Sequence, residues 1–210
     1  GSINLNIIRI CTIIVLWTLL SPQSVDARTY RVLAVRVDFP YEDPDHETTS
    51  GRGIFDLSNF YDETEAALRD QYRNPWDVPP HDSRYFDNHM TALRNYWRTV
   101  SEDRIDIVWD IYPRSNEAAY TLANKYYKYG NGRTKEQTYA KLVGLLDEAL
   151  RACKNAEGSD VDFSQYDTFM IIHAGIGSET SGNLNDIPSA FISETDIDTF
   201  LEVPLVIDGH

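Results

Sequence analysis

The chain has 210 residues, 42% hydrophobic and 12% aromatic, enough to bury the core of one domain and too apolar for wholesale disorder. Lys and Arg number 19 against 33 Asp and Glu, a formal charge of -14 that repels phosphate backbones and anionic lipid. That balance argues against a nucleic-acid partner and is compatible with a secreted protein or with calcium binding.

The N-terminal stretch INLNIIRICTIIVLWTLLSPQSVDARTY carries a cation at Arg9, an apolar run Ile10–Leu20 and a polar tail ending in Val25-Asp26-Ala27. This pattern predicts a signal peptide over residues 1–27 with cleavage after Ala27, since the apolar run is short for a membrane span. A secreted mature unit, 28–210, with no stable membrane anchor after cleavage, is the expectation. Cys11 would leave with the leader, so Cys153 would have no disulfide partner within the chain.

Thr29–Pro40 alternates Val32, Ala34 or Val35, and Val37 with polar neighbours, as a first strand stopped by a proline. Tyr41–Gly53 is polar and turn-rich. Its His46-Glu47-Thr48-Thr49-Ser50 begins like a zinc motif but has Ser50 where a second imidazole is needed on the same helical face. Ile54–Asn74 has partly helical character, and Pro75–Asp82 reads as a linker or loop. Asp82 or Ser83 can cap a helix through about Val100, with Phe86, Met90, Leu93, Trp97 and Val100 on one face and His89 beside it. Arg104–Pro113 switches to period two, placing Ile105, Ile107 and Trp109 on one side of a strand.

Thr134–Gln137 fits a capping box before a helix carrying Leu142, Val143, Leu145, Leu146, Ala149, Leu150 and Cys153 on its apolar stripe. The run Thr168–Gly175 is nearly all apolar, as in a strand buried on both faces. Phe191-Ile192 and Val203–Ile207 suggest two more strands. The order predicts an α/β (α+β layered) domain with a mixed twisted sheet and packing helices.

Three groups of residues could carry chemistry. Gly175–Gly182 is glycine-rich, yet it lacks the lysine of a phosphate loop, and Glu179 would oppose a phosphate. His173 ends a strand, where functional groups are displayed, although a lone histidine there also serves as hydrogen-bonded scaffolding. Asp160, Asp162 and Ser164 alternate as oxygen ligands for calcium would, but the EF-hand glycine and glutamate are missing, so a turn capping the next strand is the stronger interpretation. No G-x-S-x-G elbow occurs, and Ser178 and Ser181 have no recognisable base.

Four segments together resemble the immune inhibitor A-like secreted zinc metallopeptidases. They are Val37-Asp38-Phe39-Pro40, Tyr96–Ile107, Asp162–Asp167 and His173-Ala174-Gly175, in that order, and the likeness spans most of residues 29–193. The resemblance implies a zincin-like N-terminal subdomain, a zinc cofactor in the full-length parent and a peptide or protein substrate. It implies that residues 28–210 are the N-terminal portion of the catalytic domain, truncated before the zinc motif. None of His46, His81, His89, His173 and His210 pairs at the spacing of His-Glu-x-x-His, so no zinc ligand and no catalytic residue can be assigned here. It further implies a substrate-binding edge at Pro188–Ser193, where the main chain of Ser189, Ala190, Phe191 and Ile192 would pair with a peptide. His173 and Gly175 would border the site.

Overall fold

The computed structural model describes residues 27–42, 49–58, 78–116, 118–130, 132–201 and 205. Residues 1–26 of the expected signal peptide, His46 and the zinc-like pentad's start, residues 59–77 and, apart from Leu205, the strand expected at Val203–Ile207 lie outside these described residues.

The sheet is built around β1 (Arg28–Asp38). β2 (Ile105–Tyr112) pairs with it in parallel, Arg28 opposite Ile105 through Val35 opposite Tyr112. The two-residue β3 (Tyr120–Thr121) continues that side, opposite Val37 and Asp38. β4 (Thr168–His173) lies along the other side, Val32 opposite Thr168 through Val37 opposite His173. A mixed sheet was the expectation; among the described residues every pairing is parallel. Parallel strands need crossovers, and the two long helices supply them.

Helix α1 (Ser83–Val100) joins β1 to β2. Asp82 caps it, its Oδ1 accepting from the Tyr85 amide at 3.0 Å. Met90 is buried with Val32 and Ile107, and Leu93, Trp109, Ile111 and Met170 pack around them. Further along the predicted apolar face, Trp97 and Val100 are exposed. Helix α2 (Lys135–Glu157) crosses back to β4 on the opposite face. Leu142, Leu145, Ala149, Leu150 and Cys153 pack there against Leu33, Val35 and Val37, as the stripe predicted. At its start Thr134 Oγ1 accepts from the Gln137 amide at 3.2 Å, but the Gln137 side chain reaches the Arg133 amide rather than that of Thr134, so only half of the capping box forms.

Two strand assignments change. Thr168–His173 was expected to be buried on both faces, yet among the described residues it pairs only with β1, and Phe169 is 38% exposed. β1 is the buried strand instead: Val32 to Val37 are all buried, because β1 has a neighbour on each side, α2 over one face and the edge of α1, through Met90 against Val32, on the other. That includes Arg36, one of the polar neighbours in the alternating pattern. The second change concerns Pro188–Ser193, which forms no strand. Pro188 has no amide to donate, the Ser189 amide donates to Glu179 Oε1 at 2.7 Å, and Ser193 opens a helix, α4 (Glu194–Phe200), through a capping box with Asp196. The substrate edge expected at Ser189, Ala190, Phe191 and Ile192 therefore has no strand ladder beneath it.

Candidate functional site

From β1 the chain moves to β2 on one side, and later to β4 on the other. The two directions part between β1 and β4, and open parallel sheets bind ligands outside the carboxyl ends of strands at such a point. The loops leaving β1 and β4 meet there. Ala174 N–H donates to the Val37 carbonyl at 2.9 Å, and the loop after β1 turns back so that Phe39 N–H donates to Gly53 O at 2.7 Å. Ser50 then sits on the loop that follows β4. Its amide donates to Asp186 Oδ1 at 2.7 Å, and its carbonyl accepts from the Ile176 amide at 3.4 Å.

Tyr126 is the post around which the glycine-rich loop winds. Its hydroxyl donates to the Ile176 carbonyl at 2.6 Å and accepts from the Ile187 amide at 3.1 Å. Burial pushes its pKa up, with the Asp186 and Glu179 carboxylates adding to the rise, so it remains a protonated donor. Gly175 has φ +95°, and a Cβ there would meet the Tyr126 ring at 2.9 Å. Both conditions demand glycine. The short helix α3 (Ser178–Ser181) follows, and the amides at its start are already used: Ser178 donates to Ile187 O, and Thr180 and Ser181 to Gly177 O.

His173 ends β4 half-buried, with its ring 6.0 Å from that of Tyr126. Its Nδ1 lies 3.0 Å from the Ala174 carbonyl, so the tautomer that bonds carries the hydrogen on Nδ1 and leaves the Nε2 lone pair free. Burial lowers its pKa, and the opposing pull of Ala174 O, Glu179 and Asp186 does not reverse this. The imidazole is neutral at physiological pH and can accept a proton or a hydrogen bond. Asp186 is fully buried, and its Oδ2 has no hydrogen-bond partner; Asp38 Oδ1 is likewise buried without one. A neutral imidazole with two under-satisfied carboxylates suits hydrogen-bond donors on a ligand.

The other predicted groups fall elsewhere. His89 is exposed on α1, its Nδ1 at 2.9 Å from Tyr85 O. Asp162 accepts from the Ser164 amide, the Ser164 hydroxyl and Gln165 Nε2, which is the hydrogen bonding of a turn, not of an open cation site. Among the described residues no three His, Cys, Asp or Glu side chains are grouped to hold a metal ion, so they do not fit a zinc site. No helix among them is long and apolar enough to cross a membrane. The sequence did not single out Tyr126 or Asp186, and it marked Ser50 only as the misfit in a zinc-like pentad. Asp186 follows Asn183 and Asn185 in what reads as an ordinary turn, and nothing local marks it as buried. Compared with known proteins, the chain matches no family model, no curated protein and no solved structure.

Proposed function

We propose that this chain forms the N-terminal, sheet-bearing part of the catalytic domain of a secreted zinc-dependent endopeptidase of the immune inhibitor A-like kind. Residues 1–27 are its signal peptide, and 28–210 belong to a zincin-like subdomain. One observation carries the proposal. Two of the four motifs behind the resemblance, Val37-Asp38-Phe39-Pro40 and His173-Ala174-Gly175, are remote in sequence yet leave neighbouring parallel strands side by side, with Val37 opposite His173. Loops in that position are where an α/β sheet receives a ligand, here a peptide or protein substrate.

In this proposal the chain's own residues shape the cleft. Tyr126 and the Ser50–Asp186 contact hold the glycine-rich loop in one conformation, and His173 borders the site as a neutral acceptor. Phe191, 81% exposed, is the large apolar side chain of Ser189–Ile192 that would contact a substrate in this proposal. The zinc ligands are not among these residues.

The test is expression of the uninterrupted reading frame that contains this chain, followed by incubation with a protein substrate. The expected result is cleavage abolished by a chelator and restored by zinc, with no such cleavage by the 210-residue chain alone. No chelator-sensitive cleavage by the whole product would overturn the proposal. A non-catalytic extracellular binding module is the alternative, and a whole product without a His-Glu-x-x-His helix would support it.

A further inference from the structure

Among the described residues, the face of the sheet beneath α1 is only half covered. α1 packs along β2, and beside it β1 and β4 form the floor of an apolar groove of about 330 Å³. Val32, Ile107 and Met170 form the floor and Leu93 and Trp97 the wall, and the lining carries no charged side chain. In a chain where 25% of residues are charged, this is an unusually neutral recess.

Its mouth at the amino-terminal ends of the strands is different. Tyr30 and Ile105 line it there, and the Arg28 guanidinium lies 4.5 Å from the centre of the Tyr30 ring. Arg28 is exposed and makes no ion pair among the described residues, so its guanidinium can meet an anion at the mouth. The ring contact holds the planar guanidinium beside the mouth.

We propose that this groove binds a linear aliphatic carboxylate, its tail lying over Val32, Ile107 and Met170 and its carboxylate meeting Arg28. The charge pattern chooses this occupant: a neutral recess accepts a hydrocarbon chain, and an exposed guanidinium at its mouth receives a carboxylate through two parallel hydrogen bonds. At about 30 Å³ for each methylene-sized unit, the volume of a liquid water, the groove holds roughly ten carbons. The site stands apart from the β1–β4 carboxyl ends and does not depend on the peptidase proposal.

Calorimetric titration of the full chain with octanoate, decanoate and dodecanoate tests it. The expected result is saturable binding that tightens about fourfold for each added methylene up to roughly ten carbons and then levels off. Arg28→Gln, an exposed change, should weaken decanoate about tenfold and leave decanol unchanged, as removal of one charged hydrogen-bonding partner would. Met170→Trp fills the floor and should abolish binding of both ligands; Leu93→Trp on the wall does the same if the first variant misfolds. Absence of saturable decanoate binding overturns the proposal. So does an affinity indifferent to chain length, or an Arg28→Gln variant that binds decanoate as the parent does.

Discussion

Replacing Arg36 with methionine keeps the aliphatic stem but removes a guanidinium that is 1% exposed in the central strand. Its Nη1 donates to the Asn116 carbonyl at 2.9 Å, and its Nη2 donates to the carbonyls of Pro113, at 2.9 Å, and Ser115. Burial lowers its pKa while Asp82 and Tyr120 pull it up, and a guanidinium starts high enough to stay charged throughout. Pro113 is buried, so its carbonyl would lose its partner without gaining water, at about 1–3 kcal/mol. Ser115 and Asn116 are exposed, so water can replace the lost donors there and each loss is about 0.5–1.5 kcal/mol. Relief from burying a charge returns part of this, leaving about 2–4 kcal/mol net. The same loop closes the start of α1, because Ser83 N–H donates to Asn116 O at 2.9 Å, so helix and groove wall should loosen with it. Urea unfolding followed by circular dichroism is the assay: at about 2 kcal/mol per molar the midpoint should fall by about 1–2 M. Arg36→Lys keeps the charge on one nitrogen that cannot span three carbonyls, and should recover less than half of the loss. A methionine variant within about 0.5 kcal/mol of the parent would refute the reasoning, since exposed substitutions cost no more than that.

Three further outcomes follow from single residues. Because burial lowers the pKa of His173 in the folded state, the unfolded chain takes up the proton first as pH falls through the unfolded value of 6.5; its contribution to stability is complete above that value and is lost below it. His173→Gln should therefore flatten the decline in urea midpoint between about pH 7 and pH 5, a decline limited to about 1.4 kcal/mol per unit for one group, and an unchanged pH profile would contradict this. Gly175→Ala combines φ +95° with a Cβ at 2.9 Å from Tyr126, and should cost about 2–4 kcal/mol in thermal unfolding; a neutral effect would mean the loop leaves β4 by another path. Burial pushes the Cys153 thiol up to about 11, so a disulfide reagent at about pH 8 should label it only after denaturation, and prompt labelling of the native protein would contradict its position on the buried face of α2.

The helices were legible because their signals are local. Met90 and Leu93 on α1, and Leu142 through Cys153 on α2, recur at helical spacing, and Asp82 and Thr134 announce the starts. Strand order was not legible in the same way. Hydrophobicity marked both β1 and β4 as strands, but which has two neighbours depends on pairings between residues far apart, and Arg36 is solvated by carbonyls 77 to 80 positions later. The helix after Pro188 had a local signal that lost to an apolar pair: Ser193-Glu194-Thr195-Asp196 has capping-box spacing, whereas Phe191-Ile192 is too short to specify a strand. At the site, His173 was visible as a histidine ending an apolar run. Asp186 was not, because its burial comes from the Ser50 amide 136 positions earlier.

The proposed peptidase cleft and the aliphatic groove both depend on β1 being the enclosed strand and β4 the open one. Native-state hydrogen exchange read residue by residue measures that directly. The amides of Val32–Val37 should be among the last to exchange in the molecule, while β4 shows alternating protection, slow where an amide faces β1 and fast where it faces outward. Uniform slow exchange along Thr168–His173 with faster exchange across β1 would contradict the arrangement on which both sites rest.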